Sequence, residues 1–330
     1  MKFFLLLLVL QVTYSCQNSE DVIVYRDRAA SLSTPEGFRH VTEKFGELKV
    51  KEGDHTGQSK ITPWSSWWFP TKDKFMFAHT DRSKLAPLEK YDLYNERTSG
   101  QLTQAAIYEE KNIYDEREVN WAGLCHAWAV ASVLHQEPRF IISRRDIDFS
   151  VADQKALLLK SYENVSGLEI YGHRFDGGPN DVYEDVYPDQ FHRLAQHYLF
   201  EKKLPFLMDY DPSFPVWTVP VYKIKFTITK TDESSAFVRA WVEFASPFVE
   251  NPNFVGTKKS VKMYEYNLYG TWVNGELIVN GSEWINASSY DHPDFLIGYP
   301  SNVKRGSLNK ELKVEQIDEI IKAKLIEVRE

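Results

Sequence analysis

One cysteine stands alone in the body of this chain. Cys125 lies in Val119-Asn120-Trp121-Ala122-Gly123-Leu124-Cys125-His126-Ala127-Trp128-Ala129-Val130-Ala131-Ser132, and the other of the two cysteines is Cys16. Gly123 breaks regular structure just before it. The run that follows, through His135, is rich in Ala, Leu and Val without Gly or Pro, and predicts a helix. Cys125 is therefore expected at a helix N-terminus, where backbone N–H groups and the positive end of the dipole favour a thiolate nucleophile. The same N–H groups suit the oxyanion of a tetrahedral intermediate. The bland alternative is a small buried hydrophobe, the usual fate of a free cysteine. Trp121 and Trp128 on either side of the turn point instead to a shaped cleft.

A cysteine nucleophile needs a base, and usually a third group to orient that base. Nine histidines are available. His126 is adjacent to Cys125, and neighbours on a helix diverge by about 100°, so it is a poor partner. His192 opens a helix beginning at Pro188-Asp189-Gln190-Phe191. His292 follows the last strand in Asp291-His292-Pro293-Asp294-Phe295. With Asp209 after His192 the chain order is Cys, His, Asp, and His292 competes for the same role.

The elements that must position these residues fall into two groups. Leu85-Ala86-Pro87-Leu88 begins a helix that continues through the 90s. Ser150-Val151-Ala152-Asp153 has capping-box spacing ahead of an amphipathic helix through Tyr162. Phe191, Leu194, Ala195, Tyr198 and Leu199 recur at helical spacing, and Lys202-Lys203 close that helix. From Val216 the period changes to two: Tyr222, Ile224, Phe226 and Ile228 alternate with polar residues, as do Val238, Ala240, Val242 and Phe244. Strands are expected over 261–268 and 272–279, with turns at Tyr269-Gly270 and Asn274-Gly275. Val314, Ile317, Ile320, Ile321 and Leu325 form one face of a last helix. Helices first and then a mostly antiparallel sheet is an α+β fold. Thr62-Pro63-Trp64-Ser65-Ser66-Trp67-Trp68-Phe69-Pro70 packs three Trp between prolines, as loop packing or as the lining of a groove.

With 330 residues the chain can bury a large core. Met1-Lys2-Phe3-Phe4 and the apolar run Leu5–Leu10 have the form of a secretory signal over 1–16, too short to span a bilayer. Residues 17–60 are a polar lead-in, and 61–330 the catalytic domain. Export is therefore expected. The alternative is a lipoprotein anchored through Cys16, the one route to a membrane. Net charge is -8 without a basic stripe, so nucleic acid is not an expected partner. The loop from 164 to 189 carries Asp176, Asp181, Glu184 and Asp185, oxygen ligands that suit Ca²⁺, but without EF-hand spacing; no metal ligand is assigned. Asn164-Val165-Ser166, Asn280-Gly281-Ser282 and Asn286-Ala287-Ser288 are glycosylation sequons.

Asn120-Trp121-Ala122-Gly123-Leu124-Cys125-His126-Ala127-Trp128-Ala129 resembles the nucleophile segment of the transglutaminase elicitor family, secreted enzymes of oomycetes with marine bacterial relatives. The resemblance extends from about residue 61 to 300. It takes in the Pro63–Pro70 block, Ala86-Pro87-Leu88-Glu89-Lys90-Tyr91, Ala152–Leu158, Phe191-His192, Asp209 and His292-Pro293-Asp294-Phe295-Leu296. Val216-Trp217-Thr218-Val219-Pro220 keeps the Trp and Pro of a family signature but not its Asn-Gln or Arg-Gly. The resemblance implies a papain-like core and a Ca²⁺-assisted protein-glutamine γ-glutamyltransferase acting on proteins that carry glutamine and lysine. By analogy with the Cys–His–Asp arrangement of transglutaminases, Cys125 is the expected nucleophile, His192 the base and Asp209 its orienting group. Trp121, Trp128 and Trp217 are expected to contact substrate. A papain-like protease or amidase would use the same groups with water as acceptor. A non-catalytic, aromatic-rich binding protein would use none of them.

Overall fold

The strongly alternating segments identified above form the centre of one antiparallel sheet. In a computed structural model, which describes residues 42–81, 83–172, 185–213 and 216–328, this sheet has the order β1-β10-β9-β8-β7-β6-β11-β5, with β2 also paired to β7. Its long strands are β7 (Thr218–Lys230), β8 (Ser235–Ala245), β9 (Lys259–Val273) and β10 (Glu276–Trp284). Shorter ones are β1 (Lys49–Lys51), β2 (Gly53–Gln58), β5 (Ile170–Gly172), β6 (Phe206–Asp209) and β11 (Phe295–Ile297). Every pairing in it is antiparallel. Ile224, Phe226, Val238, Ala240 and Val242 face the core as their period requires.

The helices cover that sheet. They are α1 (Pro87–Ser99), α2 (Ala105–Asn112), α3 (Cys125–Leu134), α4 (Val151–Lys160), α5 (Pro188–Ala195) and α6 (Val314–Ile321). A small hairpin, β3 (Ile142–Arg144) with β4 (Ile147–Phe149), lies between α3 and α4. Helix α3 packs on β7, α5 on β9 and β10, and α4 on α3 and α6. The Ser150 capping box is present: Ser150 Oγ accepts from Asp153 N at 3.1 Å, and Asp153 Oδ2 accepts from Ser150 N at 2.7 Å. Asn274 and Gly275 both have positive φ, 52° and 80°, as a two-residue hairpin turn between β9 and β10 demands.

Three expectations are corrected. Tyr269-Gly270 is not a turn, because β9 runs unbroken to Val273. A Cβ on Gly270 would lie 1.9 Å from Ile278 O, so glycine is there for close strand approach beside the β10 bulge between Val279 and Gly281. The lead-in ending at residue 60 is not separate from the fold either. Its segments β1 and β2 are strands of the main sheet, paired to β10 and β7. They escape a period-two reading because each is short and polar and is held by backbone pairing. Leu325 lies beyond the end of α6 and is 63% exposed, whereas Ile317, Ile320 and Ile321 are buried as expected.

Candidate active site

Cys125 is the first residue of α3, as its surroundings require. The turn before it is fixed by the tryptophan block: Leu124 N donates to Trp68 O at 2.7 Å and Thr71 N to Ala122 O at 2.9 Å. Only glycine fits at 123, since a Cβ there would lie 2.8 Å from both Trp68 O and Phe69 O. Phe69 itself has φ 46°, a strained value for a bulky residue. Ala127, Trp128, Ala129, Val130, Ala131 and Val133 then lock the helix into the core. Cys125 is 5% exposed, and its sulfur donates to the carbonyl of Val216 at 3.4 Å.

That carbonyl belongs to the peptide unit whose N–H, on Trp217, donates to Asp209 Oδ1 at 2.9 Å. One peptide thus carries Cys125 on one edge and Asp209, fully buried at the end of β6, on the other. Tyr210 is next. Burial pushes its hydroxyl well above the usual tyrosine range, and the charges of Asp211, Asp209, Asp291 and Cys125 add to the effect. Its backbone carbonyl accepts from Tyr264 Oη at 2.6 Å and from Lys262 Nζ at 2.8 Å, and Lys262 also pairs with Asp291.

The expected base, His192, makes contacts of its own. His192 is wholly buried, with Nδ1 2.7 Å from Tyr266 Oη and its ring stacked 3.9 Å from Phe226. Phe226 lies eight residues beyond Thr218 on β7, whereas the Cys125 thiol bonds to Val216, just before that strand. Burial, with the charges of His55 and Arg193 adding to it, lowers the His192 pKa to about 3. His192 is expected as the base from its order and spacing in the chain and from the family resemblance; the hydrogen bond it makes here is to Tyr266. His292 lies in a different setting. Nδ1 is 2.8 Å from Ser288 O and Nε2 3.0 Å from Asp185 Oδ2, while the ring stacks on Trp284. Both of its ring nitrogens are thereby engaged by oxygens of Ser288 and Asp185. His126 Nε2 meets Glu163 O at 3.0 Å.

The tryptophans divide in the same way. Trp128 is fully buried, with Nε1 donating to Trp64 O at 2.8 Å, so it is core and not the wall of a cleft. Trp121 is half-buried just ahead of the turn. Trp217 is half-buried beside Cys125, its ring 5.6 Å from Trp68 and 4.6 Å from Phe248. The Pro63–Pro70 block therefore serves both purposes: Trp64 is core and Trp68 faces the site. Phe248, in the β8–β9 loop, carries no motif that sequence reading could find, beyond being an aromatic after Pro247.

Asp176, Asp181 and Glu184 of the acidic loop lie outside the described residues, and Asp185 is occupied by His292. Among the described residues no group of three or more His, Cys, Asp or Glu is arranged to hold a metal ion. None of the helices among them is long and apolar enough to cross a membrane, and residues 1–16, where a signal is expected, also lie outside them. At the sequons, Asn164, Asn280 and Asn286 are exposed.

The family resemblance read from the sequence is shown by comparison: the profile of the transglutaminase elicitor family matches residues 116–278, which include Cys125, Asp209 and Trp217. The crystal structure of the GP42 transglutaminase from Phytophthora sojae matches with a TM-score of 0.65 and 15% identity, covering 88% of this chain and 98% of that one. At that identity the likeness is one of fold. No curated protein matches the chain in sequence.

Proposed function

We propose that this chain, whose residues 116–278 match the transglutaminase elicitor family, is an exported protein-glutamine γ-glutamyltransferase. What supports this most directly is the sulfur of Cys125, at the first turn of a buried helix and joined through one peptide to the carboxylate of Asp209.

In the first half-reaction the Cys125 sulfur attacks the side-chain carboxamide carbon of a protein glutamine. The C–N bond breaks, the thiol proton leaves on the amine nitrogen as ammonia, and a thioester remains. N–H groups of the first turn of α3 stabilise the oxyanion, since the start of a helix has no carbonyl one turn back for them. In the second, a lysine amine attacks the thioester carbonyl. An isopeptide bond forms and the proton returns to sulfur. Asp209 holds the Val216–Trp217 peptide against which the thiol rests. Trp68 and Trp217 shield the thioester from water, whose attack competes with the amine. The family resemblance adds two elements to the proposal: dependence on Ca²⁺, testable by chelation, and export after cleavage near Ser15.

Incorporation of a fluorescent primary amine into a glutamine-rich protein tests the reading. Cys125→Ala should abolish it, and unchanged labelling in that variant ends the proposal. New peptide termini without amine incorporation would identify a protease that uses the same thiol.

A further inference from the structure

A charged pair with little exposure holds one wall of the site. Lys155, on α4, is 0% exposed, and its ammonium donates to Ser65 O at 2.9 Å, Phe254 O at 2.7 Å and Glu137 Oε1 at 2.8 Å. It also lies 4.8 Å from the centre of the Trp64 ring. Glu137 accepts in turn from Gly256 N at 2.9 Å, and Ser65 N donates to Gly256 O at 2.8 Å. Asn253 Oδ1 accepts from Ala152 N at 3.0 Å. These bonds tie the β8–β9 loop, residues 246–258, to α4 and to the tryptophan block.

The same loop carries Phe248, 39% exposed. Its N–H is held by Ser246 Oγ and its carbonyl by Lys258 Nζ, and its ring packs edge-on to Trp217 and Trp68. Trp217 is next to the residue that accepts from the Cys125 thiol, and Trp68 O accepts from the residue before Cys125. Two independent backbone connections therefore tie the segments that carry Trp68 and Trp217 to the Cys125 turn, and Phe248 packs on both rings. A large aromatic side chain fixed in position yet left open to water costs hydrophobic free energy until an apolar group covers it.

We propose that Phe248, held in place by the buried Lys155–Glu137 pair, is a specificity-determining residue: with Trp68 and Trp217 it forms an aromatic wall that takes an apolar side chain next to the reactive glutamine. This rests on the transferase reading given above. Lys155 and Glu137 are positioning residues, acting through the loop.

Two short glutamine peptides, alike except for Leu or Ser beside the glutamine, test it through their kcat/KM ratio in amine incorporation by the full chain. The Leu peptide should be preferred. Phe248→Ala should lower the Leu/Ser ratio about tenfold, the low end of what apolar contacts discriminate. The double variant Lys155→Met/Glu137→Met, which leaves no lone buried charge, should lower the ratio likewise while remaining folded by circular dichroism. An unchanged ratio in Phe248→Ala overturns the proposal, and so does an unchanged ratio in the folded double variant. Should the unaltered chain label neither peptide, the transferase reading fails by itself. The wall is then judged by binding of the Leu peptide, read from tryptophan fluorescence: about tenfold weaker binding in Phe248→Ala supports it, and equal or absent binding overturns it.

Discussion

Replacing Gly123 by Ala probes the turn that presents the nucleophile. The added Cβ would stand 2.8 Å from Trp68 O and from Phe69 O, and 2.9 Å from Trp68 Cδ1. Ordinary contact begins at 3.4 Å, so each carbonyl must retreat by 0.6 Å (3.4 less 2.8). These are backbone atoms and cannot swing aside as a side-chain tip does. Overpacking of this kind costs about 1–3 kcal/mol. The Leu124–Trp68 hydrogen bond, 2.7 Å long, would stretch toward 3.3 Å and lose part of its roughly 1 kcal/mol. The lower entropy of the unfolded chain returns about 0.4–1 kcal/mol. A net loss of roughly 1–3 kcal/mol remains, equal to a fall in Tm of several degrees. Displacement of Cys125 by about half an ångström should cost roughly tenfold in kcat/KM for amine incorporation. Gly281→Ala is the control, because its Cβ would meet nothing closer than 3.7 Å. Calorimetry and the labelling assay report the two effects separately. A Gly123→Ala protein with unchanged Tm and unchanged labelling would refute the description of the turn.

Two other buried charge arrangements make predictions of their own. Burial lowers the pKa of His192 to about 3, and burial with the Arg305 charge lowers that of His135 to about 4. Below about pH 6.5 the unfolded chain protonates at these rings while the folded chain does not. Stability present above pH 6.5 is therefore lost as pH falls toward 4, by up to about 1.4 kcal/mol per unit per ring. Urea midpoints measured from pH 7 to 5 should decline. A flat profile would contradict the burial, and His192→Gln should lessen the slope. Lys160, 1% exposed, bridges Glu109 at 2.7 Å and Glu163 at 2.5 Å. Lys160→Met leaves two carboxylates buried together and should cost about 3–5 kcal/mol, and adding Glu109→Gln should recover part of the lost Tm.

Much of the scaffold is visible in the sequence wherever one face of an element is buried and the other wet. The alternation at Tyr222–Ile228 and Val238–Phe244, the Ser150–Asp153 box and the Asn274-Gly275 turn each impose a local requirement that few other structures meet. The errors occur where geometry between distant segments decides. Gly270 has the composition of a turn, but its reason for being glycine is Ile278 on the neighbouring strand. The short strands β1 and β2 show no hydrophobic period, because backbone pairing to β10 and β7 holds them in the sheet.

The candidate site follows the same rule. Cys125 is identifiable from its own neighbours, since a glycine turn and an apolar helix are local features. The choice among histidines is not local. His192 and Asp209 stand in a sensible order along the chain; β6 brings Asp209 to the peptide that meets the thiol, while His192, on α5, meets Tyr266 and Phe226. What unites Cys125 with Asp209 is the Val216–Trp217 peptide, whose carbonyl and N–H have no residue type to betray them. The family signature around Trp217 therefore has a physical reason to be there independent of the indole. It positions a main-chain unit, and a substitution in that segment that keeps Trp217 but turns the peptide should uncouple thiol from carboxylate as fully as mutating either one.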